Sequence, residues 1–333
     1  MNELTKMEKL FQVLDESAEL LADELDAVYL DALAEAAENL YEGTVLQDVN
    51  DLAARKLQKL YDRNTLDQFS KEEKRKAFGL AVLKGMKDAT QQNHMVTPDA
   101  VAVFIGYLLN KLTENREQMR IFDPALGIGN LLMAVKAGAE NKQVSAFGSE
   151  VDETLIKLAY MNANWQEMPI ELFNQDSLQP LLLDPVDVVV SDLPVGYYPD
   201  DARAASFALQ ADEGHSYAHH LFIEQSLRYT KEGGYLIFLI PNFLFESGEA
   251  EKLNRFLKEN THILGLLQLP KSMFKNEQMA KSIFILQKKG KNTNMPKQGL
   301  MAEMPSFSNK TAMAGMVDRI NRWFYGYSGG NGN

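Results

Sequence analysis

The first 90 residues carry a hydrophobic pattern typical of helices. Acidic residues separate the apolar ones, the segment contains no proline, and four apolar residues recur at roughly helical spacing: Leu21, Leu25, Val28 and Leu33. Gly43 interrupts this pattern, and a shorter helix is predicted over 51–61. Ser70 followed by Glu73 predicts a capping box that opens another helix toward Met86. The sequence therefore predicts an acidic helical domain over 1–90.

The pattern changes near residue 120, where short apolar runs begin to alternate with helical stretches. Such alternation is typical of an α/β fold, in which helices cover both faces of a mostly parallel sheet. The runs predict strands at 119–122, 144–148, 186–191, 235–240, 263–269 and 282–287. We take 91–290 as this second domain.

Residues 291–333 are expected to form a C-terminal extension. A polar stretch with Pro296, Gly299 and Pro305 comes first, and an amphipathic helix is predicted over 310–325. The Gly- and Asn-rich tip beyond it is expected to be disordered.

Composition indicates an ordinary soluble protein with a sizeable core. The chain has 333 residues, of which 45% are hydrophobic and 24% are charged. No apolar run is long enough to cross a bilayer, and the first residues do not resemble a signal segment. The absence of cysteine excludes disulfides, cysteine nucleophiles and thiolate metal sites, so we expect a cytoplasmic protein.

The negative charge is concentrated at one end of the chain. Residues 1–50 hold thirteen carboxylates and two lysines, a balance of −11 within a total of −12. Because DNA is bound largely through Lys and Arg, we expect weak binding of nucleic acid by the chain alone, although Lys271, Lys275 and Lys281 could form a local basic patch. The acidic domain is either a solvated bundle or a docking module for a basic protein partner.

The clearest local motif is a glycine turn between a strand and a helix, Asp123-Pro124-Ala125-Leu126-Gly127-Ile128-Gly129. Gly127 and Gly129 allow a sharp turn and a close approach to a ligand, and the following helix offers free N–H groups. Asp123 ends the strand on the side of the sheet where ligands bind.

Two further carboxylates fall at predicted strand ends. Glu150 lies 21 positions after Gly129, where an acidic residue commonly binds the two hydroxyls of a ribose. Asp176 falls where the next strand should end and is able to accept a hydrogen bond from an adenine amino group. A dinucleotide enzyme would normally have glycine where Leu132 stands, and pyrophosphate would repel Asp123. S-adenosylmethionine, which carries a sulfonium and an ammonium group, suits an acidic pocket better.

Four segments of the chain resemble parts of amino-methylating DNA methyltransferases. The glycine turn resembles their motif I, and residues 93–101, with Thr97-Pro98, resemble motif X, which lines the methionine end of the cofactor. Residues 269–274 and 281–286 resemble their last two strands. The resemblance covers about 90–290 and is to the N6-adenine DNA methylases and type I restriction modification subunits, in a short YtxK-like form.

This resemblance implies a Rossmann-like class I methyltransferase fold with a mostly parallel seven-stranded sheet and S-adenosylmethionine as cofactor. It implies DNA as a substrate and neither a metal ion nor a membrane. The residues that it assigns to the cofactor are Thr97, Pro98, Asp123, Pro124, Ala125, Gly127, Gly129, Glu150, Val151, Asp176, Ser177 and Asp192.

Motif IV of this family, Asn/Asp-Pro-Pro-Tyr/Phe, corresponds to Asp192-Leu193-Pro194-Val195. The Asp192 side chain and the Leu193 carbonyl are able to accept both N–H groups of a planar amine and direct its lone pair at the methyl group. Leu193 replaces the first proline of the motif. Val195 replaces the aromatic residue that stacks on a flipped base, so Tyr197 or Tyr198 is a candidate substitute.

The departures in motif IV leave three hypotheses open. The first is N-methylation of adenine in DNA. The second is methylation of another planar nitrogen, such as a protein glutamine amide or an RNA base. The third is a catalytically weak, cofactor-binding protein that acts through its acidic domain. His215 and His219, at i and i+4, also invite a metal interpretation. No third ligand has suitable spacing, so we expect them to shape a substrate loop over 195–220.

Overall fold

The computed structural model describes residues 4–88, 96–139 and 142–328. The C-terminal tip and residues 93–95 of the motif X segment lie outside these ranges. Residues 4–88 contain four long helices: α1 Lys6–Leu25, α2 Tyr29–Glu42, α3 Asp51–Arg63 and α4 Lys71–Asp88. The predicted capping box is confirmed, since the Ser70 backbone N–H donates to the Glu73 carboxylate at 2.8 Å and the Glu73 N–H donates to the Ser70 hydroxyl at 3.3 Å.

The helically spaced apolar residues from Leu21 to Leu33 lie in two helices, with Leu21 and Leu25 in α1 and Leu33 in α2. The chain breaks between α1 and α2, where Asp26 adopts a left-handed conformation with φ of 51°. Aspartate tolerates this conformation better than most residues because its short polar side chain can hydrogen-bond locally. Val28 then precedes α2 and is exposed rather than part of the core.

The sheet begins after helix α5, Asp99–Leu112, and confirms the predicted α/β architecture. Its strands are β1 Gln118–Asp123, β2 Gln143–Glu150, β3 Glu171–Asn174, β4 Val186–Asp192, β5 Thr230–Pro241, β6 Thr261–Gln268, β7 Lys281–Lys288 and β8 Leu300–Glu303. The helices along the sheet are α6 Asn130–Gly138, α7 Glu153–Trp165, α8 Asp201–Ala204, α9 Ala218–Arg228, α10 Ala250–Asn260 and α11 Lys310–Ser328.

The strand order is β3-β2-β1-β4-β5-β7-β6-β8, and only β7 runs antiparallel to its neighbours. The mostly parallel sheet is therefore confirmed, but the described residues form eight strands rather than the predicted seven. The additional strand, β8, pairs parallel to β6 beyond residue 290. It has four residues, of which only Leu300 is buried, and this is too short to give a clear hydrophobic period.

Apolar side chains cover both faces of the sheet. One cluster includes residues of α5, α6 and α11, and another includes residues of α9 and α10. The predicted C-terminal helix is confirmed as α11, which buries Ile320 and Phe324 against the first cluster. None of the helices within the described ranges has the length and apolarity needed to cross a membrane.

Helix α7 joins the sheet to the N-terminal helices. A third apolar cluster combines residues of α1, α2 and α4 with Leu158 and Trp165 of α7. The Trp165 indole N–H donates to the Ala37 carbonyl of α2 at 3.1 Å, and both groups are buried. The N-terminal helices therefore share a hydrophobic core with α7, and the strand that precedes α7, β2, ends at the site described next.

Candidate active site

A cleft of about 370 Å³ opens at the carboxyl ends of β1 to β4. Because these strands are parallel, their carboxyl ends meet at one edge of the sheet, where α/β folds bind ligands. The carboxylates that line the cleft are Asp123 at the end of β1, Glu150 at the end of β2, Asp176 just after β3 and Asp192 at the end of β4. The predicted strand-end carboxylates thus lie in one cleft.

The glycine turn leaves room on the ligand side. Gly127 and Gly129 have φ of 56° and 80°, which side chains other than glycine rarely adopt. A Cβ atom at Gly129 would approach the Met133 methyl group to 2.7 Å, whereas one at Gly127 would have no neighbour within 4 Å. Gly127 therefore borders open space in the cleft, while Gly129 is packed against α6.

The turn itself holds the Glu150 carboxylate in place. The Gly127 N–H donates to Oε2 at 2.8 Å, and the N–H groups of Val151 and Asp152 donate to Oε1 at 3.0 and 3.1 Å. These local bonds fix the carboxylate at the edge of the cleft. Each carboxylate oxygen has two lone pairs, so three of the four acceptor sites are used and Oε2 retains one for a ribose hydroxyl.

Asp123 is the most deeply buried of these carboxylates. Its Oδ1 accepts from the Ser191 hydroxyl at 2.7 Å and from the Ala125 N–H at 3.1 Å. Burial nevertheless raises the pKa of Asp123 to about 7, and the nearby charges of Asp192 and Glu150 add to this effect. A cation in the cleft would favour the ionised form of Asp123.

Asp176 is positioned by the loop that follows β4. The Tyr198 hydroxyl donates to its Oδ2 at 2.5 Å, and the Leu178 N–H donates to Oδ1 at 2.9 Å. Burial and this bond raise the pKa of Tyr198. Ser177 donates to the Pro124 carbonyl at 2.6 Å, which ties this turn to the glycine turn.

Two donors from distant parts of the chain converge on Asp192. The Thr97 hydroxyl donates to Oδ2 at 3.0 Å, and the Lys281 ammonium bonds to Oδ1. Asn130, the first residue of α6, donates to the Thr97 carbonyl at 2.5 Å and so holds the motif X segment beside the glycine turn. From the sequence, the Lys281 side chain is a candidate for a local basic patch, whereas the structure places it in the cleft.

Most of the residues that the sequence analysis assigned to the cofactor or to catalysis line this cleft. They are Thr97, Asp123, Pro124, Ala125, Gly127, Glu150, Val151, Asp176, Ser177, Asp192, Leu193 and Pro194. Pro98, Gly129 and Val195 are not among the lining residues. Met86, Leu155 and Lys281 are lining residues that motif matching does not find, because apolar helix positions and single lysines have no distinctive spacing.

The loop after motif IV presents aromatic rings at the cleft. Tyr197 lines it, is 62% exposed and stacks on Tyr217 with ring centroids 5.0 Å apart. The Tyr198 N–H donates to the Ser216 carbonyl at 2.8 Å, and the Ala218 N–H donates to the Gly196 carbonyl at 2.9 Å. Of the two candidate aromatic substitutes, Tyr198 is buried on Asp176 and Tyr197 has the exposed ring.

The histidines do not share a helix face as the metal interpretation required. Helix α9 begins at Ala218, so His215 lies outside it and bonds Asp201 instead. His219 and His220 are buried, and burial lowers their pKa values to about 3 and about 4. Within the residues that the structure covers, no three His, Cys, Asp or Glu side chains are grouped to hold a metal ion.

The donor set of the cleft suits S-adenosylmethionine. Glu150 and Asp176 offer hydrogen-bond acceptors for a nucleoside, and Gly127 leaves space beside them. The buried Asp123 carboxylate, whose pKa is raised, would be stabilised in its ionised form by a positively charged ligand. The volume of about 370 Å³ falls within the ~300–1,000 Å³ usual for ligand pockets. Strand order, glycine turn and strand-end carboxylates together define the fold of a class I methyltransferase.

Comparison with known proteins identifies the family. The N-6 DNA methylase family model matches residues 84–315, and the model of the YtxK N-terminal helical domain matches residues 8–86. The chain therefore belongs to the N-6 DNA methylase family and carries a YtxK-like N-terminal domain. It is 50% identical over 316 residues to the uncharacterised protein YtxK of Bacillus subtilis, covering 94% of this chain and 96% of that protein.

Solved structures agree with this assignment. A Listeria monocytogenes protein described as a candidate class I S-adenosylmethionine-dependent methyltransferase is 44% identical and superimposes with a TM-score of 0.89, over 96% of this chain and 99% of that one. A type I restriction-modification methyltransferase subunit from Streptococcus thermophilus is 16% identical, with a TM-score of 0.64 over 95% and 74% of the two chains. The latter similarity concerns the fold alone.

Proposed function

We propose that this protein transfers a methyl group from S-adenosylmethionine to an exocyclic amine, with the adenine N6 amine of DNA as acceptor. The observation that carries the proposal is the position of Asp192-Leu193-Pro194. These residues line the cleft at the end of β4, next to the glycine turn and the three carboxylates of β1 to β3. The family assignment supports the same reaction.

The cofactor would lie along the ends of β1 to β3. Glu150 would accept a ribose hydroxyl at Oε2, Asp176 and Ser177 would border the adenine, and Asp123 would face the positive charge. Pro124, Ala125 and Val151 would line the walls, and Thr97 would border the amino-acid end. Pro98 and Gly129 would act through the backbone, since one caps α5 and the other caps α6.

The bound cofactor supplies an electrophilic methyl group, and the residues at β4 position the acceptor. Asp192 and the Leu193 carbonyl would accept the two N–H groups of the amine and direct its lone pair toward the methyl group. Thr97 and Lys281 hold the Asp192 carboxylate in one orientation. Leu193 is buried, and its N–H donates to the Leu239 carbonyl at 3.1 Å, so the motif is anchored to β5. Rate acceleration would then come mainly from positioning and exclusion of water.

The test combines purified protein with cellular methylation. Protein incubated with isotopically labelled S-adenosylmethionine is expected to label adenine in DNA, and DNA from a deletion strain is expected to lack that methylated adenine by mass spectrometry. If the label appeared in RNA or in a protein glutamine instead, that molecule rather than DNA would be the substrate. Cofactor binding with no transfer to any of these would favour a cofactor-binding partner protein.

A second candidate acceptor is another planar nitrogen, such as a protein glutamine amide or an RNA base. The observation that favours it is the position of Val195, which has no aromatic ring and is not among the residues lining the cleft. The same labelling experiment separates this candidate from DNA adenine.

We expect the protein alone to bind duplex DNA weakly. Affinity for DNA comes largely from clustered cations that release counterions. Two lysines of the candidate patch are engaged in ion pairs, Lys271 with Glu277 and Lys281 with Asp192. Fluorescence anisotropy on a labelled duplex at ~150 mM salt, where the Debye length is about 8 Å, measures this. Submicromolar binding with a steep salt dependence would contradict the charge argument.

We also propose that the acidic helical domain, 1–90, provides the surface for a basic protein partner, while 91–290 performs the transfer and 291–333 extends it. Part of the acidic charge is already used inside the domain, because Lys84 bonds Asp15 at 2.5 Å and Glu19 at 2.7 Å. If removing 1–90 created tight DNA binding, the domain would instead act as a cover for the cleft.

A further inference from the structure

Helix α4 brings the N-terminal helical region against the elements that form the cleft. Phe78 of α4 is buried and packs edge-to-face against the Trp165 ring of α7, with ring centroids 5.5 Å apart. Met86, near the end of α4, lines the cleft itself. Arg75 lies three positions before Phe78, so the two side chains project from the same side of the helix.

A chain of hydrogen bonds leads from Arg75 to Asp192. The Arg75 guanidinium bonds Oδ1 of Asp99, the first residue of α5. The Asn130 side-chain amide donates to the same oxygen at 3.3 Å and to the Thr97 carbonyl at 2.5 Å. The Thr97 hydroxyl donates to Oδ2 of Asp192 at 3.0 Å. A cation of the helical region is thus connected to the motif IV carboxylate.

Asn130 is the central link of this chain. A side-chain amide has two N–H groups, and those of Asn130 have two acceptors here, Asp99 and Thr97. The Asn130 side chain is buried, whereas that of Asp99 is 47% exposed and could turn toward water. Arg75 opposes that movement, so its loss would release one of the two bonds that orient the amide.

The Arg75–Asp99 pair acts through its position more than through its contribution to stability. Burial alone would raise the pKa of Asp99, but the bond and the charge of Arg75 outweigh burial, so the pKa is lowered and Asp99 stays ionised. Ion pairs with one partner this exposed contribute little to the free energy of unfolding. Variants at Arg75 are therefore expected to fold, and any effect on the site can be measured.

We propose that Arg75 is a positioning residue for methyl transfer. It fixes Asp99 and, through Asn130, the Thr97 hydroxyl that orients Asp192 toward the acceptor amine. The proposal deepens the proposed function and rests on it, because it takes Asp192 as the group that binds the acceptor. Reaction rates depend steeply on the geometry of the reacting groups, so a small displacement of Asp192 is enough to lower the rate.

The test is a double-mutant cycle on the single-turnover rate at saturating S-adenosylmethionine, with the acceptor that takes up label. Arg75→Met removes the cation and is expected to lower the rate about fivefold. Thr97→Val removes the hydroxyl, keeps the backbone carbonyl, and is expected to lower the rate about tenfold. If Arg75 acts through that hydroxyl, the double variant also loses about tenfold, whereas independent effects would multiply to about 50-fold.

The matched control is Lys71→Met. Lys71 also lies in α4 and pairs with Glu167, just after α7, at 3.0 Å, so this variant removes an ion pair between the same two helical segments outside the chain to Asp192. Its rate is expected to equal that of the wild type. Arg75→Lys keeps the charge and is expected to restore the rate to within about twofold.

Asp99→Ala breaks the same chain from the α5 side and is expected to give the same loss as Arg75→Met. Thermal unfolding of each variant checks that it is folded.

A multiplicative loss in the double variant would overturn the proposal, since Arg75 would then act by another route. An equal loss in Lys71→Met, or an unchanged rate in Arg75→Met, would also overturn it. The proposed function would survive each of these results. A folded wild-type protein that transferred no methyl group to any acceptor would overturn both.

Discussion

The two halves of the cleft are built in different ways. In the half that we propose for the cofactor, at the ends of β1 to β3, Glu150 and Asp123 accept mainly from N–H groups of the turns after β1 and β2, and Asp123 also accepts from Ser191 of β4. In the half that we propose for the acceptor, at the end of β4 and in residues 193–217, Asp192 is held by side chains 95 and 89 positions away in sequence. Backbone N–H groups of strand-end turns thus supply most of the bonds to Glu150 and Asp123, whereas side chains from distant segments hold Asp192.

Asp192→Ala should have the largest effect of the variants considered, and it should reduce methyl transfer without reducing cofactor affinity. Removing the carboxylate removes an acceptor for the reacting amine, so methyl transfer is expected to fall by about 100-fold or more, as for other single preorganised groups. Affinity for S-adenosylmethionine should stay within a few fold. Single-turnover transfer and isothermal titration separate the two quantities.

An equal loss of cofactor affinity in Asp192→Ala would erase the distinction between the halves and make Asp192 a cofactor ligand. Asp200→Ala is the control, because Asp200 is an exposed carboxylate of the same loop whose side chain caps the short helix α8. This control should retain both transfer and binding.

Glu150→Ala should produce the complementary result. The change removes the acceptor for a ribose and leaves the Gly127 N–H without its partner, so cofactor binding is expected to weaken by about 1–3 kcal/mol. Transfer at saturating cofactor should change much less. Titration with S-adenosylhomocysteine measures the first effect, and Glu153→Ala, at an exposed position three residues later, is the control. Unchanged affinity in Glu150→Ala would show that Glu150 does not bind the cofactor.

The contrast between the halves also explains what the sequence could predict. Strand ends follow from apolar runs, and a carboxylate at the end of each parallel strand must reach the same edge, so Asp123, Glu150, Asp176 and Asp192 could be brought together without coordinates. Lys281 could not be placed, because its position depends on β7 being antiparallel. The eighth strand and the turn at Asp26 were also missed, since a four-residue strand and a single left-handed residue leave no periodic trace.

The pKa of Asp123 provides a test confined to the cofactor half. Burial, with Asp192 and Glu150 nearby, raises this pKa to about 7, so a cationic ligand must displace a proton below that pH. Affinity for S-adenosylmethionine is expected to rise about tenfold per pH unit up to about pH 7 and then to level off. Asp123→Asn should bind more weakly and flatten this profile.

Asp123 also determines how the stability of the ligand-free protein should change with pH. Because the folded pKa lies above the unfolded value of about 4, the folded state retains a proton that the unfolded state loses. The contribution of Asp123 to the free energy of unfolding is therefore present below about pH 4 and is lost as pH rises to about 7. Thermal unfolding of wild type and Asp123→Asn across this range would show a difference in slope; parallel curves would mean that Asp123 ionises normally.

The smallest expected effect concerns Tyr197 in the acceptor half. Stacking of a nucleobase on an aromatic ring contributes ~1–3 kcal/mol, and the lower end applies here because the ring is 62% exposed and already stacked on Tyr217. Tyr197→Ala should therefore raise the KM for a nucleic-acid acceptor by about fivefold and leave cofactor affinity unchanged. Tyr197→Phe keeps the ring and should behave as wild type.

Val195→Tyr adds a ring at the position where the family has an aromatic residue, so base methylation should increase or persist. If Tyr197→Ala and Val195→Tyr both left the KM of a base substrate unchanged, the acceptor half would have no stacking surface, and a protein amide would become the better-supported acceptor.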